Sequence, residues 1–462
     1  MQCAADKAIG ILLMLVTVLV ICAEWGVAPW ASFLTPILML VLVIILTLQV
    51  RLSRKVFVLV AVFLSLALAV TNPNWPEIIL QGSAAAAFIG AFFTALSTLR
   101  TVAATSPAIE RAGAFLAGQH PGKRYGALTI GGQAFALLLN YGSIQLLGAL
   151  AMSHAKLERN AEIRGHRIRR MLLAIQRAFV STLPWSPLSF AVAISTTVIP
   201  DTSWTQVLIP GLITSSIVAG IGWAMDSIFK PRLSVPPMRS DPPGTWALML
   251  PLIALLSTLI IGVIILNAIV DVRIVGLVSV LVPAIAIVWL FIQHWSMRPL
   301  VTVARRVSCY VLQELPTYRG ELILLMMAGY IGTVGSQLLA PIVINLGLDF
   351  SSLPTWLVLV SFVWIIPLAG QFGMNPILIV TLIAPLIPSA ASLGVDPTVL
   401  VVALTSGWAM SGASSPFTAT TLLIGSFGGV SARHVGLVWN GTFTIISCGA
   451  LSIWVLIYAY IN

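Results

Sequence analysis

Apolar residues fall in long blocks separated by short polar stretches, instead of alternating or recurring on one helix face. The blocks Ala8–Ala23, Ala31–Val50, Val56–Val70, Ile78–Leu99, Val207–Ala224, Trp246–Ala268, Ile274–Ile292, Leu322–Leu346 and Val435–Tyr460 each read as a helix crossing a bilayer. Four further stretches are interrupted. Met171–Pro200 and Thr398–Ile424 have crossing length but carry the polar breaks Ser186-Pro187-Leu188-Ser189 and Ser415-Pro416-Phe417-Thr418, and are expected to be broken crossings. Tyr125–Met152 and Leu357–Pro388 are expected to be re-entrant hairpins. For the second the reason is length: its apolar arms Leu357–Leu368 and Ile377–Ile387 each reach under about 20 Å at 1.5 Å per residue, short of a hydrocarbon core of roughly 30 Å. The predicted fold is an all-α polytopic membrane protein with about 11 transmembrane helices and two hairpins.

Composition agrees. The 462 residues are 59% hydrophobic and 8% charged, with a mean hydropathy of +1.03, which excludes a water-soluble globular protein. The net charge of +10 is read by position, not as a nucleic-acid footprint. With the N-terminus in the cytoplasm, 23 of the 24 Lys and Arg fall in cytoplasmic loops, the densest being Lys156 to Arg177; Arg273, beside Asp271, is the exception. Those loops include Arg232, Arg239 and Arg298, and the outer loops Glu24, Glu77, Asp201, Asp271, Asp349 and Asp396. The same rule supports the first hairpin, because a full crossing at 125–152 would put two basic loops in opposite compartments. Eleven crossings leave the C-terminus outside. Residues 1–30 form an N-terminal helix, with a cleavable signal segment as the alternative reading. Cys3, Cys22, Cys309 and Cys448 are far apart and suggest neither disulfides nor a metal site.

The halves repeat. Asn140 and Asn375 sit mid-hairpin, Ser186-Pro187 and Ser415-Pro416 sit mid-helix, and each pair is separated by about half the chain. An odd number of crossings lies between the copies, so residues 31–230 and 245–462 form an inverted repeat. Non-helical backbone at membrane depth must be satisfied by protein or a water-filled cavity, so the four interruptions are expected to converge. Ser186 and Ser415 read as helix N-caps, with new half-helices starting at Pro187 and Pro416 and offering positive N-termini to an anion. The preceding half-helices, ending near Leu183 and Gly412, are expected to leave carbonyls unpaired. Joined by Asn140, Ser143, Asn375, Ser411 and Ser414, these carbonyls would suit Na⁺. The substrate candidates are Asn140, Ser143, Ser186, Ser189, Asn375, Ser415 and Thr418. Gln133, Gln145 and Gln371 read as interhelical hydrogen-bonding residues, and GGQ at 131–133 and GSQ at 335–337 as close helix contacts.

The order span, span, span, hairpin, broken span, span resembles the ion transporter superfamily, nearest the divalent anion:sodium symporter family. That family carries Ser-Asn-Thr at each hairpin tip, where this chain keeps only Asn140 and Asn375. The resemblance implies a homodimer in a bacterial inner membrane, and cytoplasmic arm helices, here Leu99–Gly118 and Val301–Glu314, tethering a moving transport unit. No acidic or basic residue is expected mid-span, which disfavours a buried-carboxylate proton relay. There is no Walker A motif, so no ATP-driven pump. The expected function is a secondary transporter of small organic anions, carboxylates first, driven by Na⁺ and needing no other cofactor; its partners are that anion and membrane lipid, and no nucleic acid. The alternatives are the same fold carrying an inorganic oxyanion or exchanging Na⁺ for H⁺, a pore or assembly component, and a membrane-embedded enzyme on a lipid-linked substrate. The last would need clustered catalytic groups, whereas His120, His154, His166, His294 and His434 are dispersed.

Overall fold

The nine uninterrupted blocks all fold as helices long and apolar enough to cross a membrane in the computed structural model, and the chain is all-helical among its described residues. These residues are 2–104, 106–231, 233–234, 244–270, 272–295, 299–345 and 353–461. The loop positions Arg232, Arg239, Arg298, Asp271 and Asp349, and the last residue of the Leu322–Leu346 block, lie outside them.

Internal contacts divide the chain into two compact units, and each unit takes one large segment from each half of the sequence. The first comprises 1–102, 262–352 and 377–388. It contains α1 (Gln2–Glu24), α2 (Ala31–Gln49), α3 (Leu52–Thr71) and most of α4 (Trp75–Ala104). The second comprises 103–261, 353–376 and 389–462. It contains α5 (Pro107–Ala117), α6 (Pro121–Leu139), α7 (Tyr141–Lys156), α8 (Ala161–Thr182), α9 (Phe190–Val198) and α10 (Trp204–Ile228). After α11 (Leu250–Ile269), the chain adds α12 (Ile274–Gln293), α13 (Pro299–Cys309) and α14 (Arg319–Asn345) to the first unit. The second unit then receives α15 (Thr355–Gln371), and the first receives nearly all of α16 (Pro376–Ile383). The second is completed by the short α17 (Ala390–Leu393), then α18 (Pro397–Ser414), α19 (Ala419–Gly428) and α20 (Gly441–Ile461).

Helices in lipid gain little from burying leucine against leucine, so close backbone approach has to hold them together. In the first unit a Cβ on Gly332 would fall 1.7 Å from Thr381 Oγ1, and one on Gly82 would fall 2.9 Å from Val334. The Ser65 and Tyr330 hydroxyls meet at 2.7 Å. Helix α1 is packed into this unit: Ile9, Leu13 and Val16 are buried, Asp6 pairs with Arg319 at 3.0 Å, and Glu24 pairs with Arg273. In the second unit the close-contact role expected of Gly131 and Gly132 is visible, with Leu116 and Ala178 seated against them.

Two expectations change, at the second hairpin and at Val301–Glu314. The first hairpin is formed by α6 and α7, packed on each other and turned at Asn140, whose φ of 49° gives the chain its sharp reversal. The second is not built alike: α15 has 17 residues, longer than its apolar arm, because Thr355, Trp356 and Ala369-Gly370-Gln371 extend the helix, and its two arms belong to different units. Finally, Val301–Glu314 is no separate arm. Helix α13 continues through a π-turn (Tyr310–Glu314) and a 3₁₀ turn (Leu315–Tyr318) into α14 without a loop, held to α4 by the Tyr310 hydroxyl on Thr94 O at 2.6 Å.

Candidate functional site

All the candidate site residues belong to the second unit. Its two broken helices, α8–α9 and α18–α19, are interrupted by the same turn. In the first, Ser189 N–H donates to Ser186 O at 3.1 Å while Leu188 N–H donates to Ser186 Oγ at 3.1 Å. In the second, Thr418 N–H donates to Ser415 O at 3.4 Å and Phe417 N–H to Ser415 Oγ at 3.3 Å. Serine opens each turn and proline follows, the positions each favours in a β-turn. This corrects the expected start of the second half-helices at Pro187 and Pro416. They begin three residues later, at Phe190 and Ala419, with Ser189 capping Ala191 N–H at 3.1 Å and Thr418 in the matching place. Proline was read as the first helical residue because Ser-Pro has that meaning at a helix start; at a helix break it serves the turn instead.

The interruptions meet. Gly412, near the end of α18, lies against Val180 and Leu183 at the end of α8, where a Cβ would come within 3.1 and 3.4 Å. The Tyr141 ring, next to the hairpin tip Asn140, stacks on Phe179 at 5.0 Å. Ser415 Oγ donates to Gly370 O at the end of α15 at 2.6 Å, and Gly373 lies 3.9 Å from Phe417 when a Cβ is built on it. Asn375, half-buried, is two residues further on. Of the candidates, Ser186 and Ser189 share one turn, Ser411, Ser414, Ser415 and Thr418 cluster at the other, and Asn140 and Ser143 sit together, Ser143 Oγ donating to Asn140 O at 2.7 Å. No described hydrogen bond joins the Asn140 pair to the serine cluster.

At the end of α18, the carbonyls expected to be free are not. Gly412 O accepts from the Thr420 and Thr418 hydroxyls, Ser415 O from Thr421 Oγ1 at 2.6 Å and Thr418 Oγ1 at 3.0 Å, and Ala413 O from Gln176 Nε2 at 3.2 Å. Three threonines in the first turn of α19 thus repair the end of α18, which the reading of the sequence overlooked. Ser414 Oγ donates to Met410 O at 2.8 Å and accepts from Gln371 Nε2 at 3.4 Å, the interhelical role expected for Gln371. Ser411 differs: its Oγ is fully buried, with no hydrogen-bond partner among the described residues.

The residue that sequence reasoning missed is Arg177. Counted with the cytoplasmic loop, it lies inside α8, five residues before that helix ends, and is 4% exposed. Its Nε–H donates to Asn440 Oδ1 at 3.2 Å, its Nη1 to Tyr125 Oη at 3.0 Å and Gly222 O at 3.4 Å, and its guanidinium lies 4.2 Å from the centre of the Phe443 ring. Asn440, fully buried where a π-turn (His434–Trp439) meets α20, donates to Gln176 Oε1 at 2.9 Å. Gln176 in turn reaches Ala413 O, so one chain of hydrogen bonds runs from Tyr125 through Arg177, Asn440 and Gln176 to the broken end of α18. Every described partner of Arg177 is neutral. Arg177 is therefore not the loop residue that the positional reading of charge makes it.

No protein-family model matches the chain, and no curated protein matches it. Solved structures do. The YdaH transporter of Alcanivorax borkumensis, noted for an unusual topology, superposes with a TM-score of 0.52 at 14% identity over 87% of this chain and 98% of its own. The chain shares the fold of that transporter. A second solved structure, MtrF of Neisseria gonorrhoeae, from a class of antimetabolite efflux pumps, covers 88% of this chain and 96% of its own at 15% identity, with a TM-score of 0.48. The likeness to YdaH does not support the divalent anion:sodium symporter family in particular, so the finer resemblance read from element order is not carried forward.

Proposed function

We propose that this chain is a secondary active transporter of small organic anions, carboxylates first, with Arg177 as its fixed positive charge. The observation that carries the reading is a buried guanidinium whose described partners are all neutral, hydrogen-bonded through Asn440 and Gln176 to the break in α18. Removing a charge from water costs several kcal/mol, and a site that leaves it without a counter-charge is built to receive one from a ligand. The surroundings, with the Phe443 ring against Arg177 and the Tyr141–Phe179 stack at the break, favour an anion with an organic body over an inorganic oxyanion.

Coupling to Na⁺ through neutral oxygens is part of the proposal, centred on the unpartnered Ser411 hydroxyl and not on the paired carbonyls around it. Because both breaks, Arg177 and Ser411 belong to the second unit, we propose that this unit carries substrate across as a body in an alternating-access cycle, with the first as scaffold. A bacterial inner-membrane location with the N-terminus inside, and a homodimer, complete the reading.

The test is uptake into proteoliposomes under an inward Na⁺ gradient against choline, with a panel of carboxylates. Arg177→Gln should reduce uptake at least about tenfold, the loss of one charge-assisted contact, and Arg177→Lys should restore part of it. Wild-type uptake by a folded Arg177→Gln protein would overturn the assignment.

A further inference from the structure

At the basic end of the second unit, the starts of α6 and α8, with Pro231 and Leu233, enclose a cleft open on one side. Its lining mixes three cations, Arg124, Arg167 and Arg170, with the apolar Leu128, Ile163 and Leu233. Two of the arginines have counter-charges. Arg170 makes two hydrogen bonds to the Asp226 carboxylate, at 2.7 and 2.6 Å, and Arg167 faces Glu158 at 3.5 Å. Arg124 has none among the described residues. It is 7% exposed, its Nε–H donates to Gln119 O at 2.7 Å, and its two terminal nitrogens have no described partner. Burial, and then Arg167 and Arg170, hold its guanidinium down to about 10, as befits a cation placed among cations without an anion. Tyr125 lines the same cleft, and its hydroxyl is the one that accepts from Arg177.

We propose that this cleft is a second anion site, taking an oxyanion attached to a short apolar body, with Arg124 as the fork for the oxyanion and Leu128, Ile163 and Leu233 against the body. The chemistry fits a free carboxylate or the charged end of an anionic phospholipid. An inorganic oxyanion would leave the apolar lining residues unused, and a neutral apolar molecule would leave Arg124 unpaired, so only a ligand with both parts matches the whole lining. The shared Tyr125 makes it a staging post one residue from Arg177; that role rests on the proposed function, whereas binding in the cleft does not.

The experiment is calorimetric titration of the full chain in neutral detergent with sodium hexanoate and with inorganic phosphate, repeated in nanodiscs with and without phosphatidylglycerol. It is run on wild type and on Arg177→Gln, which lacks the other anion-receiving charge. Hexanoate should bind both proteins at this cleft and bind at least about tenfold more tightly than phosphate, the worth of a few buried methylenes. Arg124→Gln should weaken it at least about tenfold and Arg124→Lys should recover part. Leu233→Phe, which fills the cleft without touching a charge, should weaken it comparably and decides the matter if Arg124→Gln does not fold. Competition by phosphatidylglycerol would assign the site to lipid within the same chemistry, and its absence would assign it to free carboxylate. Binding unchanged in Arg124→Gln or in Leu233→Phe, phosphate binding as tightly as hexanoate, or no binding of hexanoate or phosphatidylglycerol to wild type would each overturn the proposal. Normal transport by Arg177→Gln with cleft binding intact would instead bring down the proposed function alone.

Discussion

Asn440→Asp is the sharpest perturbation of the candidate site, because it changes charge at nearly constant shape. Asn440 Oδ1 accepts from Arg177 Nε at 3.2 Å, so an aspartate there becomes the counter-ion that Arg177 lacks. A transported carboxylate held within about 5 Å of that new negative charge would be repelled by about 3 kcal/mol at an effective dielectric of 20, which cancels most of the attraction of Arg177. At 1.4 kcal/mol per decade the apparent affinity should fall about a hundredfold. The fold should survive. Asparagine's donations to Gln176 Oε1 at 2.9 Å and Val435 O at 3.2 Å are lost, at about 1–3 kcal/mol per unsatisfied group, while the new ion pair with Arg177 offsets part of that cost. Asn440→Ala separates charge from packing: it loses the same hydrogen bonds, leaves Arg177 positive, and should lower the melting temperature while changing apparent affinity only a few-fold. The assay is initial-rate uptake of labelled carboxylate into proteoliposomes, with folding followed by size exclusion and thermal unfolding. If Asn440→Asp transports with an affinity within threefold of wild type, Arg177 is not the charge that the substrate meets.

Three further outcomes are expected. Gly436→Ala would set a Cβ 2.0 Å from Ser414 O, backbone that cannot swing aside, so it should cost about 1–3 kcal/mol and lower the unfolding midpoint, whereas Gly165→Ala, with open space around it, should not. Ser411→Ala removes a buried hydroxyl with no protein partner and should leave thermal stability unchanged or slightly raised, while stabilisation by NaCl over choline chloride weakens about tenfold in Na⁺ concentration; an unaltered Na⁺ titration would remove Ser411 from the coupling site. Burial, and then Arg124 and Arg167, push the His154 imidazole below its ordinary range, so the folded protein binds that proton less readily than the unfolded chain. The stability from His154 is therefore present above about pH 6.5, the ordinary histidine value, and is lost as pH falls below it; His154→Gln should flatten the fall in unfolding midpoint between pH 7.5 and 5.

The spans were legible because a bilayer allows few solutions: uncharged blocks of crossing length become helices, and all nine uninterrupted blocks did. The breaks were legible as places, since Ser-Pro within an apolar run cannot continue a helix unchanged, but their geometry was not. Ser-Pro serves a helix start and a turn equally, and only the paired bonds from Leu188 and Phe417 back to Ser186 and Ser415 decide for the turn. The carbonyls read as vacant were misjudged because Thr418, Thr420 and Thr421 look like ordinary helix residues in the sequence; that their hydroxyls fold back onto Gly412 and Ser415 depends on the turn's path. Arg177 was hidden by its neighbours. The basic run from Lys156 to Arg170 lies close before it, and a charge count assigns both to one loop, although MLLAIQ before it and AFV after it already make an apolar helix around a single charge.

That missed arginine alters what the fold asks of a ligand. Had the broken helices met with only backbone and hydroxyl groups between them, their self-satisfied ends would have called for no ligand, because Gln176 and the threonines close most of the hydrogen bonding from within. Arg177 alters the balance: its hydrogen bonds are made, yet its charge is not neutralised by any described residue, and hydrogen bonds to neutral groups do not supply a counter-charge. The same imbalance recurs at Arg124, which lies next in sequence to the tyrosine that holds Arg177. On the proposed function, Arg177 against the Phe443 ring and Arg124 in the cleft beside Leu128 and Ile163 would together select a small anion with an apolar body, through residues that the asparagine and serine motifs do not include.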